Sequence, residues 1–157
     1  MVGFWRATLA VLMAGAVGCA TTTSSSSKGA ATAELSEVVK LEGDHITVGE
    51  TLLFEIGKAD IEPKSTPVLD AVARILQETP DITKLTIEGY ADSTGDDAFN
   101  KQLSQERANA VKTYVLGKGV AAARLEAVGM GTDRPVASNE SEAGRAKNRR
   151  VEFKVAR

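Results

Sequence analysis

The sequence predicts an α/β (α+β) domain in which helices pack on one face of a mixed β-sheet, with elements in the order βαβαββ. Three observations carry this. Val68, Leu69, Val72, Ile75 and Leu76 recur at the three- and four-residue spacing of one helix face. Val151, Phe153 and Val155 alternate strictly, as in a half-buried strand. Between them, strand-like and helix-like stretches alternate through short links, which implies at least one parallel strand pair joined by a right-handed crossover.

The chain has 157 residues, 43% hydrophobic and 25% charged, which suits one globular domain with tails. Residues 1–18, MVGFWRATLAVLMAGAVG, read as a targeting segment. Arg6 gives a basic start, and Ala7 to Val17 form an apolar run too short to span a membrane durably. Small residues then lead into Cys19, the single cysteine of the chain. AVGCA resembles the lipobox of bacterial lipoproteins, in which the Cys becomes the lipidated first residue of the mature chain. Ala16 stands where that motif usually has Leu. An ordinary cleaved signal with an incidental Cys is the other reading, but a free thiol on an exported domain would be a liability, which favours lipidation. Ala20, not Asp, follows Cys19. By the sorting pattern of some diderm bacteria, the expected destination is the outer membrane, facing the periplasm. Residues 19–43 then form a lipidated Cys and a Ser/Thr-rich tether with almost nothing to bury.

The domain is expected over 44–157. HITVGETLLFEI gives one or two strands at 45–56. Ser65 or Thr66 caps the first helix, with Pro67 in its first turn, and Pro80 stops it. KLTIEGYA is a strand with Leu85 and Ile87 on one face. A loop and short helical turn follow at 93–101, then the main helix from 104 to about 118, with Ser104 as N-cap, a Leu103–Ala108 staple and Gly119 as C-terminal cap. RLEAVGMG and RRVEFKV supply the last strands.

This reading puts Arg107 in the first turn of the main helix, where the macrodipole disfavours a cation. A positive charge there makes sense beside a bound anion. The loop from Asp92 to Arg107 also lies at the C-terminal edge of a strand, where α/β sheets build sites.

Composition excludes much else. A net charge of −2 and 4% aromatic residues argue against nucleic-acid binding. One Cys and one His leave no disulfide framework, zinc cluster or Cys/His catalytic pair. No cofactor or metal is expected; Asp96 and Asp97 read as helix-start charges, and His45 as an exposed strand residue. Two carboxylates could in principle serve a glycosidase, but Glu88 lies in a strand and the chain is short for a saccharide cleft. Catalysis is not expected.

The run IEGYADSTGDDAFNKQLSQERANAVKTYV resembles the core of the OmpA-like peptidoglycan-binding domain. That domain is shared by peptidoglycan-associated lipoproteins, porin tails and flagellar stator proteins. The resemblance extends to LLFEIGKADIEP, GVAAARLEAVGMGTDRPVASN and NRRVEF, and covers about residues 45–155. With a lipobox and tether in front, the layout is similar to a peptidoglycan-associated lipoprotein. The resemblance implies a ligand: the meso-diaminopimelate of the stem peptide, which offers an ammonium and a carboxylate on one stereocentre.

The family's acid falls on Asp92, for the ammonium, and its arginine on Arg107, for the carboxylate, as a bidentate fork. Backbone N–H groups at the helix start would complete the anion site. A pair used in this way would be mutually close and partly solvated in the free protein. The alternative is that Asp92 and Arg107 simply pair with each other. Asn100 falls on a family position with two open roles, loop support or ligand contact. Arg149 either lines the site or bonds loop carbonyls, with the second favoured. Ala91 stands where the family usually has Thr, and Gly57 where it often has a polar residue. The resemblance also implies a second class of partner, a periplasmic protein of the Tol system, with peptidoglycan binding then secondary.

Overall fold

The computed structural model describes residues 39–48, 54 and 57–157. The leader, Cys19 and the tether as far as residue 38 lie outside the described residues, as do 49–53 and 55–56 of the first strand region. Strands β1 (Val39–Glu42) and β2 (His45–Val48) precede helix α1 (Thr66–Glu78) and strand β3 (Lys84–Tyr90). Helix α2 (Asp97–Gly117), strand β4 (Leu125–Gly131), helix α3 (Glu142–Asn148) and strand β5 (Val151–Ala156) complete the chain. The sheet order is β1-β2-β5-β3-β4. β3 and β4 are parallel, joined through α2, and the other pairs are antiparallel.

The mixed sheet and its strand and helix order agree with the expectation, with two additions. β1 forms within the stretch assigned to the tether, and among the described residues strand pairing starts at Val39. Helix α3 stands between β4 and β5, so these strands are not a hairpin. The register explains the core: Leu85 lies opposite Val155 and Leu125, and Ile87 opposite Phe153 and Ala127. Ile46 pairs with Phe153 from the other side. Val68, Leu69, Val72 and Leu76 of α1 pack into the same cluster, with Ile75 half-buried at its margin.

The other face of β3 is polar but bonded. Glu88 accepts from the Tyr90 hydroxyl at 2.7 Å and from Lys154 at 2.8 Å. Burial and the Glu88 hydrogen bond push the Tyr90 phenol up to about 12. Glu88 thus has a structural occupation within the sheet.

Helix α2 corrects the sequence reading. The expected turn at 93–101 and the helix from 104 are one helix of 21 residues. Its cap is Asp96, whose carboxylate accepts from Ala98 N at 2.8 Å and Phe99 N at 3.2 Å. Ser104 is therefore not an N-cap, and Leu103 and Ala108 are not a staple. The Ser104 hydroxyl donates to Lys101 O and accepts from Gly131 N. Gly119 does end the helix as expected, at φ +90.

α2 lies tight against the sheet because two glycines allow it. A Cβ on Gly89 would run into the Ser104 carbonyl, and one on Gly129 into the backbone of Gln105. Gln105 uses that proximity: its amide donates to Ala127 O at 3.0 Å and accepts from Gly129 N at 2.8 Å. These bonds occupy the outer edge of β4, the last strand of the sheet. They also set α2 lengthwise, so that its first two turns flank the C-terminal end of β3.

Candidate functional site

The cleft at that end has a volume of about 610 Å³. Asp92 and Arg107, the two residues singled out from the sequence, both line it, as do Asn100 and Arg149. Arg107 reaches it from the middle of α2. The residues α2 buries are Asn100, Leu103, Ser104, Arg107, Ala108, Val111 and Val115, all on one helical stripe. Arg107 is thus a polar member of a packed face, and the helix-dipole argument for a nearby anion does not apply to it. The first amides of α2 are also taken by Asp96, so they do not supply the expected anion site.

Both principal residues are more buried than expected, Asp92 at 8% and Arg107 at 3% exposure. The Asp92 carboxylate accepts from Thr94 N at 2.8 Å through Oδ1 and from Arg149 Nη1 at 2.7 Å through Oδ2. Its ion-pair partner is Arg149, not Arg107. Burial pushes the Asp92 carboxyl up, but Arg149 and the Thr94 amide outweigh it and hold the pKa below the ordinary value. Arg107 donates from Nε to Lys58 O at 3.0 Å and stands over the Phe54 ring, 5.1 Å from its centroid. Desolvation, then the like charge of Arg149, lowers its pKa, while Asp92 acts in the opposite sense. A carboxylate entering the cleft would relieve both destabilising effects.

Arg149 departs from the favoured expectation that it bonds loop carbonyls. Its second arm, Nη2, binds Glu142 Oε1 at 2.7 Å, and Glu142 also holds Arg145 at 2.9 Å. The hydrogen bonds that Arg149 donates to Asp92 and Glu142 raise its pKa. Asn100 takes the loop-support role: it is 3% exposed and donates to Thr94 O at 3.0 Å. Asp92 and Asn100 thus grip Thr94 from opposite sides and fix the loop between β3 and α2. Asp96 and Asp97 serve the helix start as expected, and His45 is exposed on β2. Among the described residues no group of three His, Cys, Asp or Glu side chains could hold a metal.

Sequence reasoning missed Thr94, Phe99, Glu142 and Arg145, which also line the cleft, and Asn148 behind it. Asn148 is 1% exposed. Its carbonyl accepts from Val136 N and Ala137 N, while its amide donates to Ala137 O and Asn139 Oδ1. Asn139 Oδ1 in turn accepts from Ser93 N at 3.3 Å, which ties this loop to Asp92's own. The available signal was an Asn directly before the Arg pair of NRRVEF, placed where a loop re-enters the sheet.

Three arginines and two carboxylates line one cleft, with apolar Ala91, Leu103 and Phe99 between them. Such a cleft can bind a small zwitterion with an aliphatic portion and has a net preference for anions. Comparison with known proteins bears on the fold that carries this cleft. Outer membrane porin F of Pseudomonas fluorescens is 41% identical over 123 residues, 78% of this chain and 35% of that protein. The peptidoglycan-binding protein ArfA of Mycobacterium tuberculosis is 41% identical over 107 residues, 68% of this chain and 32% of that protein. The chain thus spans about a third of the length of these two relatives. The crystal structure of the peptidoglycan-associated lipoprotein from Burkholderia pseudomallei superposes with a TM-score of 0.61 at 30% identity, covering 68% of this chain and 87% of that one. The model of the OmpA family matches residues 53–149, well over half of the sequence and the whole of the Asp92–Arg107 segment, and the protein belongs to that family.

Proposed function

We propose that the protein binds peptidoglycan non-covalently through the diaminopimelate residue of the stem peptide, and that a lipid on Cys19 holds it at the outer membrane, facing the periplasm. It thereby tethers membrane to cell wall and catalyses nothing. The observation that carries this is the convergence of a depressed carboxylate, Asp92, and a desolvated guanidinium, Arg107, on one cleft that also has apolar walls. A zwitterionic stereocentre on a methylene chain matches those three features together. The ammonium shares the Asp92 carboxylate with Arg149, and the carboxylate meets the guanidinium of Arg107. The names of two similar proteins, a peptidoglycan-binding protein and a peptidoglycan-associated lipoprotein, support peptidoglycan as the partner.

The test is sedimentation of the detergent-solubilised protein with purified sacculi, comparing walls built on diaminopimelate with walls built on lysine. Wild type should co-sediment with the first alone. Asp92→Asn should weaken binding by about 2–5 kcal/mol, since it leaves the ligand ammonium without its counter-charge. Arg107→Lys should weaken it too, because an ammonium cannot reproduce the planar fork. Equal retention on both walls, or full binding by folded Asp92→Asn, would exclude this site.

A further inference from the structure

Among the described residues, the exposed large apolar side chains are Phe99 and Val136, at 55% and 60% exposure. Phe99 lines the cleft that contains Asp92 and Arg107. It stands in the first turn of α2, where its own N–H is held by the Asp96 carboxylate. The ring is therefore mounted on a capped helix end, not on a free loop. Its neighbours on the helix, Asn100 and Leu103, turn inward and are 3% and 8% exposed. Ala91 is 6% exposed. Of the three apolar residues in the cleft, Phe99 alone has substantial area left to cover, and packing within the described fold does not use it.

We propose that Phe99 is the apolar wall against which the methylene spine of diaminopimelate lies, and that it makes the cleft select a zwitterion carried on an aliphatic chain over a small zwitterion. This rests on the proposed binding of diaminopimelate in the cleft. The charged groups recognise only the zwitterionic end, which every free amino acid possesses. Discrimination for a longer ligand has to come from contact with its spine, and an aliphatic chain offers nothing but apolar area. A phenyl ring beside the charged pair supplies that contact without adding a polar group to desolvate.

The experiment is titration of the detergent-solubilised full chain, monitored by NMR, with free meso-diaminopimelate and with D-alanine, which shares the zwitterionic centre and lacks the spine. Wild type, Phe99→Ala, Phe99→Leu and Asp92→Asn are compared, each with its melting temperature. Phe99→Ala should weaken diaminopimelate about five- to tenfold, as expected for uncovering a few tens of Å² of apolar contact, and leave D-alanine and melting unchanged. Phe99→Leu should recover part of the selectivity. If Phe99→Ala keeps the wild-type ratio between the two ligands, whether both weaken together or neither does, the proposal is overturned. Asp92→Asn should lose both ligands. Were it to keep them, the assignment of the cleft itself would fall, and this proposal with it.

Discussion

Asp92 has two carboxylate oxygens, and the fold uses both in the free protein: Oδ1 for the Thr94 amide and Oδ2 for Arg149. That arrangement keeps a carboxylate charged at a site only 8% exposed. It also has a consequence for pH. The native pKa lies below the ordinary 3.8, so the bonds contribute stability that is complete above that value. As pH falls below 3.8 and through the lowered native pKa, Asp92 takes up a proton and the contribution is lost. Glu142, held by Arg149 and Arg145, and Glu88 are lowered in the same direction. Melting temperature measured from about pH 7 to about pH 2 should therefore fall at the acid end. The gap between wild type and Asp92→Asn should close over the same window, and sacculus binding should be flat above about pH 5 and vanish with it. A gap that widens on acidification would mean that Asp92 is not charged in the native state. Asp92 and Arg107 could be singled out from the sequence because a recognisable run of residues carries both. The grip of Arg149 on Asp92 could not, since it joins residues 57 apart with α2, β4 and α3 between them.

At the scale of the element, α1 was legible throughout and α2 only from residue 104 on, for one physical reason. The buried stripe of α1 is apolar, so its spacing shows directly in the residue types. The buried stripe of α2 includes Asn100, Ser104 and Arg107, which read as surface or cap residues although the helix packs them inward. Two side chains that line the cleft, Asn100 and Arg107, and the structural Ser104 are the ones that break its apolar period. α3 was missed for a related reason, since its seven residues bury only Gly144 and Asn148 and present no apolar stripe. Two substitutions separate the roles of α1 and α2. Leu76→Ala removes a fully buried side chain from α1 and should cost about 2–5 kcal/mol in urea unfolding without changing affinity for sacculi in the folded fraction. Gln105→Ala should cost about 1–3 kcal/mol, because it strips partners from Ala127 O and Gly129 N at the sheet edge. It should also weaken binding, since the same bonds set the lengthwise position of α2 and hence of Arg107. A stability loss with unchanged affinity would show that the glycine contacts alone hold the helix in place.

For the whole molecule, the proposed anchor and the cleft are separate devices on one chain, and their contributions should be separable. The first described strand begins at Val39, and the proposed tether is the stretch 20–38 between Cys19 and that strand. Were the proposed Ser/Thr-rich tether to behave as a random coil, its roughly 19 residues would have a root-mean-square span of about 24 Å and a maximum reach of ~65 Å. On the proposed scheme, such a tether would let the cleft meet the wall at a distance from the bilayer. A single acyl chain binds a membrane only marginally, whereas the several chains of a bacterial lipoprotein give stable attachment at about 0.8 kcal/mol per buried CH₂. Cys19→Ser should therefore move the protein from the detergent phase to the aqueous phase on phase separation. Its affinity for isolated sacculi should stay within about twofold of wild type, since no residue assigned to the cleft lies upstream of the domain. In cells, membranes recovered from the variant should no longer carry wall fragments with them, although the soluble protein still binds wall. Asp92→Asn should give the complementary result, with the protein retained in the membrane and the wall released. Mature wild-type protein that begins beyond residue 19 and stays in the aqueous phase would remove the lipid from this scheme. The domain would then be left as a soluble wall-binding module.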